Sequence, residues 1–263
     1  MRRFTRTLFV FVALITAAAA GPIIYVADFN DPSKIGLLDL GTGIFSQTGT
    51  TDAGELVNGP GNGLYGFREN GDWVKVAANG VTTFIGNSGL VVDEPARLLD
   101  GTIYATDINH DLYTINGATG AATKIGATGF VDPPGGLFAV ALIAGQTNNL
   151  YAIATSLDPN TGNVIDHARL FQINRNTGAA TYVANVADDF VTCAIVLNGV
   201  AYTFDFLGGV DTLNLSTGAL SPLYDLSGQL EGIHGVAAVP EPATYGLALL
   251  GGLVILISRH KRC

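Results

Sequence analysis

Hydrophobic and polar positions alternate in short runs along most of this chain, and Asn, Asp and Gly interrupt the runs repeatedly. The pattern is clearest at residues 101–126, GTIYATDINHDLYTINGATGAATKIG. Residues 102–107 form one alternating run, Asn109-His110-Asp111 turns, 112–116 is a second run, and Thr119-Gly120 turns into a third at 121–125. Side chains alternate across a strand, so period-2 runs separated by such turns predict antiparallel strands joined as hairpins.

The unit recurs and aligns on two columns. A tyrosine stands early in each leading strand (Tyr25, Tyr65, Tyr104, Tyr151, Tyr202), and a glycine stands in the turn between the last two strands (Gly43, Gly80, Gly120, Gly178, Gly218). The tyrosines are 40, 39, 47 and 51 residues apart, and a period of about 40–45 with four strands per unit is that of propeller blades. A fourth strand precedes each tyrosine at 96–100, 137–144, 191–198 and, less clearly, 55–59. The expected fold is therefore all-β, a five-bladed β-propeller of four-stranded antiparallel blades. A β-sandwich of hairpins is the competing arrangement. The first tyrosine strand, 23–29, has no strand before it, whereas GIHGVAAV at 232–239 is left over at the end. Pairing these two in one blade would close the ring and satisfy edge groups that an open arc leaves unpaired. Tyrosine rings suit the spaces between stacked blades, with the hydroxyl reaching a polar edge.

Both termini read differently from this domain, which spans residues 21–239. Residues 1–20 carry Arg2, Arg3 and Arg6, an apolar run, and Ala18-Ala19-Ala20. That is the pattern of a secretory signal peptide, cut by signal peptidase. Cys193 is the only cysteine before Cys263, so no disulfide is expected within the domain, and Cys193 in TCAIVL reads as a small buried hydrophobe. Residues 21–239 hold 21 acidic and 7 basic residues, a formal charge of −14. Most acids fall in the turns after the tyrosine strands or in the loops leading into the innermost strands, which an up-and-down blade places on one face. Such a field repels nucleic acid and anionic lipid and attracts cations, although exposed turns favour Asp in any case.

Candidate ligand-binding residues follow from that placement. Asp93, Glu94, Asp132, Asp188, Asp189 and Glu231 lie in loops expected to lead into inner strands, and Arg97 and His234 are expected to line the channel. Asp107, Asn109 and Asp111 have D-x-N-x-D spacing, whose alternating oxygens suit Ca²⁺. Leu112 stands where the glycine of such a loop belongs, and no glutamate occupies the twelfth position, so a plain hairpin turn competes. No catalytic residue is assigned: the chain lacks G-x-S-x-G, H-E-x-x-H, the P-loop and the dinucleotide fingerprint.

The C-terminal residues 240–263 carry a tripartite arrangement. Pro240-Glu241-Pro242 comes first, then an apolar stretch from Tyr245 to Ile257, then Arg259-His260-Lys261-Arg262. This resembles the PEP-CTERM sorting signal of Gram-negative bacteria, with Pro240, Glu241 and Pro242 as the defining triplet; His260 and Cys263 depart from the usual basic end. The resemblance implies export across the inner membrane, processing by an exosortase, residence in the cell envelope or matrix, and coupling to exopolysaccharide or biofilm production. The apolar residues 243–257, as a helix at about 1.5 Å per residue, reach roughly 22 Å against about 30 Å of hydrocarbon. That length fits a handling signal better than a durable transmembrane anchor. The expected protein is an exported, exopolysaccharide-associated binding or matrix protein. The alternative is a carbohydrate-active enzyme, a glycan lyase or hydrolase, on the same scaffold.

Overall fold

Each repeat folds as a four-stranded antiparallel sheet, and the inner strands of five such sheets surround one centre. The structure, a computed structural model, describes residues 21–28, 32–130, 137–158, 161, 163–230 and 232–239. The expected signal peptide, the sorting segment at 240–263, Asp132 and Glu231 lie outside the described residues.

Blade 1 begins with β1 (Ile23–Asp28), β2 (Ser33–Asp39) and β3 (Ile44–Thr51). Blade 2 is β4 (Glu55–Asn58), β5 (Leu64–Phe67), β6 (Asp72–Val76) and β7 (Thr82–Asn87). Blade 3 is β8 (Val92–Arg97), β9 (Ile103–Asp107), β10 (Asp111–Ile115) and β11 (Ala122–Ala127). Blade 4 is β12 (Leu137–Ala144), β13 (Leu150–Leu157), β14 (Val164–Ile173) and β15 (Ala180–Asn185). Blade 5 is β16 (Val191–Leu197), β17 (Val200–Asp205), β18 (Gly209–Leu213) and β19 (Leu220–Asp225). The last strand, β20 (Ile233–Ala238), lies antiparallel beside β1 with Tyr25 opposite Ala237 and Val26 opposite Val236. The order β20-β1-β2-β3 makes one blade from both ends of the described chain.

Apolar side chains fill five separate cores, one between each pair of adjacent blades. One column tyrosine belongs to each core: Tyr25 between blades 1 and 2, Tyr65 between 2 and 3, Tyr104 between 3 and 4, Tyr151 between 4 and 5, and Tyr202 between 5 and 1. Tyr65 stacks on Trp73 at 5.2 Å, and the Trp73 indole N–H reaches across to the Gly117 carbonyl of blade 3 at 3.0 Å. Large aromatic faces thus supply burial, and the indole proton supplies a directional tie. Cys193 is fully buried in the core between blades 5 and 1, and burial pushes its thiol well up.

All five column glycines have positive φ, from 69° to 87°. The requirement is sharpest at Gly120, where a Cβ would also meet the Trp73 Cβ of blade 2 at 2.5 Å. The turn must be left-handed and close to its neighbour, and glycine alone meets both demands at little cost. The third strand of every blade also shifts register against the fourth, as between Trp73 and Val74 or Leu112 and Tyr113. Such bulges bend and twist the outer ribbon.

Strand direction sorts the ends of the ring. The inner strands β4, β8, β12, β16 and β20 all start at one end, where Glu55, Asp93 and His234 lie, and finish at the other, near Asn58, Arg97 and Val239. Among the described residues only Asp39 and Asp100 bring a carboxylate to the far end. The starting end is the acidic one.

Candidate functional site: the acidic cavity at the centre of the ring

A cavity of 740 Å³ opens at the acidic end, between blades 1, 2 and 3. Its wall includes Thr51, Asp52, Phe67, Arg68, Glu69, Val91 and Ile108, and Glu55, Asp93 and His234 line it from the inner strands. Arg68 is committed to the wall, paired with Asp52 at 2.9 Å and with Asp72 at 3.4 Å. The cavity therefore keeps a carboxylate character despite this cation.

Glu55 opens β4 and is ion-paired through Oε1 with His234 Nε2 of β20. Burial opposes a charged imidazole, but the Glu55 carboxylate more than offsets this and holds the His234 pKa above its ordinary value. Glu94 of β8 is 1% exposed, and its Oε2 is sealed from solvent. Burial first, and then the Glu55 charge, push the Glu94 pKa well up. Asp93, the preceding residue, is pushed up to about 8 by burial and then by Glu55, although the backbone N–H of Val140 stabilises its anion. As a residue Asp93 is only half-buried, yet its Oδ2 is sealed from solvent. Successive residues of a regular strand face opposite ways, but β8 shifts register between Val92 and Pro95, and that irregularity lets both acids enter the same field. With Asp93 protonated near neutrality beside the Glu55–His234 pair, the centre presents hydrogen-bond donors and acceptors together.

Of the sequence candidates, the structure brings Asp93, Glu94 and His234 together and leaves the others elsewhere. Arg97 ends β8 at the opposite mouth, where its Nη1 donates to Asn62 Oδ1 at 2.7 Å. It cannot share a substrate with His234, because the two stand at opposite ends of parallel-running inner strands. Arg97, Asn58 and Leu197 help to line a second cavity of 370 Å³ there. Asp188 and Asp189 lie at the acidic end beside blades 4 and 5. Asp189 binds His167 Nδ1 and accepts the Ala168 N–H, both at 2.7 Å. Asp188 groups with Asp205 and Asp211, their carboxylate oxygens all within 4.8 Å of one another. Burial, then Asp205, Asp211 and Asp189, raise the Asp188 pKa.

Asp107, Asn109 and Asp111 hold a hairpin turn. Asp107 Oδ1 accepts the N–H groups of Asn109 at 3.0 Å and Asp111 at 2.9 Å, and its Oδ2 accepts the Tyr113 hydroxyl at 3.2 Å. Asp111 is paired with Lys124. Glu55 was not singled out from sequence as a site residue. The signal was present in its position: it stands at the first position of an inner strand, as His234 stands near the start of the last one.

No family model matches the chain, and no curated protein matches it. Solved structures that superpose on it include a gluconolactonase of Xanthomonas campestris, with 12% identity and a TM-score of 0.48 over 82% of this chain and 79% of that one. A protein of unknown function from Bacteroides caccae gives 12% and 0.48 over 84% and 100%. A catalytically inactive virginiamycin B lyase from Staphylococcus aureus, with quinupristin, gives 14% and 0.43 over 74% and 64%. At these values the strand order described above remains the basis for the fold.

Proposed function

We propose that the protein is an exported component of a Gram-negative cell envelope or extracellular matrix that binds polysaccharide in its acidic central cavity. The carrying observation is the joint presence, in a 740 Å³ cavity, of Glu55, Asp93, Glu69 and His234. Such carboxyl and imidazole groups match the hydroxyls of a sugar in hydrogen-bonding type, and Phe67 and Ile108 add apolar surface for its C–H faces. Val239, the last described residue, stands at the opposite end of the ring. The PEP-CTERM resemblance of residues 240–263 supports sorting by an exosortase, with Pro240, Glu241 and Pro242 as its recognition triplet.

One observation favours the enzymatic alternative. Asp93, with a pKa of about 8, carries a proton near neutrality and lines the same cavity as His234, whose pKa is raised by Glu55. A neutral acid beside a carboxylate–imidazole pair is the equipment of general acid–base catalysis. All five inter-blade cores lie within residues 21–239, so that domain is the material for the test. Passed over immobilised bacterial exopolysaccharides, it should be retained, and Glu69→Gln with Asp93→Asn should reduce retention about tenfold. Retention with no release of reducing ends or unsaturated products supports the binder. Product release that the Asp93→Asn variant loses supports the enzyme. No retention and no turnover on any glycan would discard both.

A further inference from the structure

The strands β1, β9 and β17 each end on an aspartate at the acidic end of the ring: Asp28, Asp107 and Asp205. In the first two blades another side chain answers the acid. Lys34 approaches Asp28 at 3.5 Å, and the Tyr113 hydroxyl donates to Asp107 Oδ2 at 3.2 Å. Asp205 holds its turn as Asp107 does, its Oδ1 accepting the N–H groups of Leu207 at 2.7 Å and Gly209 at 2.8 Å. Its surroundings differ. Tyr113 stands opposite Ala105, two residues before Asp107, and the corresponding pair in blade 5 is Asp211 opposite Thr203. An acid thus replaces the hydroxyl donor, and Asp188, from the connection between β15 and β16, adds a third. One carboxylate oxygen from each lies within 4.8 Å of the others, and the sequence has no lysine or arginine between Arg175 and Arg259. Burial and then the Asp205 charge raise the Asp211 pKa.

Three acids alone would make only a solvated, cation-attracting patch. Thr203 adds a second, independent observation. It is 1% exposed, and its Oγ1 is sealed from solvent without a hydrogen-bond partner among the described residues. Ala201 and Leu213 pack in the core between blades 4 and 5, whereas Tyr202, Phe204 and Val210 pack between blades 5 and 1. Alternation therefore turns Thr203, Asp205 and Asp211 together toward blade 4, and directly opposed residues such as Thr203 and Asp211 have Cβ atoms about 4.5–5.5 Å apart. A sealed hydroxyl that bonds to nothing forfeits its hydration. Set on the face of the carboxylates and bonded to none of them, it offers its lone pairs to a cation they would share.

We infer that Asp188, Asp205 and Asp211, with the Thr203 hydroxyl, form a Ca²⁺ site on the blade-4 side of blade 5. Carboxylate and hydroxyl oxygens are hard ligands, and Ca²⁺ accepts irregular oxygen sets that the stricter octahedron of Mg²⁺ does not. Through Asp188 the ion would tie the connection between blades 4 and 5 to the hairpin of β17 and β18. None of these four residues lines the acidic central cavity, so the site stands or falls apart from the polysaccharide reading.

The experiment uses chelator-stripped residues 21–239 with Ca²⁺ as the probe, read by titration calorimetry and by melting temperature. One saturable site with a rise in melting temperature is expected. Asp211→Asn should weaken the affinity about tenfold or more, since it removes one of three charged ligands. Asp39→Asn, the same change of charge at the far end of the ring, should leave it unchanged. Absence of binding at about 10 mM Ca²⁺, above the range of extracellular calcium modules, overturns the site. Undiminished affinity in Asp211→Asn, or an equal loss in Asp39→Asn, overturns it too. Should Asp211→Asn fail to fold, Thr203→Val decides the question, because it removes only a hydroxyl that bonds to nothing in the fold. Weaker Ca²⁺ binding by Thr203→Val is the expected result, and unchanged affinity there would overturn the site.

Discussion

An acid whose pKa is raised on folding destabilises the fold once the pH exceeds its unfolded value, and Asp93 is such an acid, at about 8 against an ordinary 3.8. Between those values the folded chain holds a proton that the unfolded chain has released, so stability falls as pH rises through that window. Glu94, raised by burial and by Glu55, contributes with the same sign. His234 does too: its pairing with Glu55 stabilises fully below the unfolded histidine value and is lost as pH rises through its raised folded one. The melting temperature should therefore drop from pH 5 to pH 9. Asp93→Asn should flatten the drop, with the variant most advantaged at pH 9, by about 1–3 kcal/mol once the partial exposure of the residue is discounted. Calorimetry across that range checks it, and equal slopes for both proteins would mean that Asp93 titrates as a solvated group.

Blades are held by what their turns let approach, and two glycines separate the contributions. Gly120 and Gly89 have nearly equal φ, 75° and 74°, but a Cβ at Gly120 would strike Trp73 whereas one at Gly89 meets nothing within 4 Å. Gly89→Ala should cost about 1 kcal/mol from backbone strain alone, and Gly120→Ala about 2–4 kcal/mol as the clash adds to it. Denaturant unfolding of the two variants measures the difference; equal losses would mean that blades 2 and 3 separate readily. This turn column was legible in the sequence because Thr-Gly or Asn-Gly pairs punctuate it, and so was the tyrosine column, since both recur at the blade period. The inner strands were harder. In β8 the sequence suggested 96–100, whereas the strand runs Val92–Arg97, because Pro95 reads as a strand breaker and the bulge beside it was invisible. That displacement put Asp93 and Glu94 in a loop when they stand in the inner strand itself. Glu55 is hidden for a related reason: β4 is only 4 residues long, and its partner His234 lies 179 residues further along the chain. Contacts made by the meeting of the two ends of a chain leave no local pattern.

At the scale of the molecule, the two ends of the ring differ in charge and in what they are attached to. The acidic end bears nearly all described carboxylates, while Pro22 and Val239 border one cavity at the far end. The apolar segment at 243–257 starts four residues after Val239, and four residues of extended chain reach at most about 14 Å. A tail seated in a bilayer would thus hold the far end against the lipid and turn the acidic cavity outward, away from the anionic headgroups that would repel it. Single cysteines test this in a Cys263→Ala background, since Cys193 is buried and will not compete for label. A fluorophore on Asn148→Cys, in the far-end turn after β12, should be quenched by spin-labelled lipid when the chain carrying its C-terminal segment is reconstituted into vesicles. The same fluorophore on Asn109→Cys, at the acidic end, should stay unquenched and open to a membrane-impermeant reagent. Anionic lipid should sharpen the contrast at low salt, and about 0.5 M salt should soften it, because the repulsion is screened over a Debye length of roughly 4–5 Å there. Equal quenching at both positions would mean that the ring tumbles freely on its tether, and stronger quenching at Asn109→Cys would invert the orientation and leave the cavity facing the membrane.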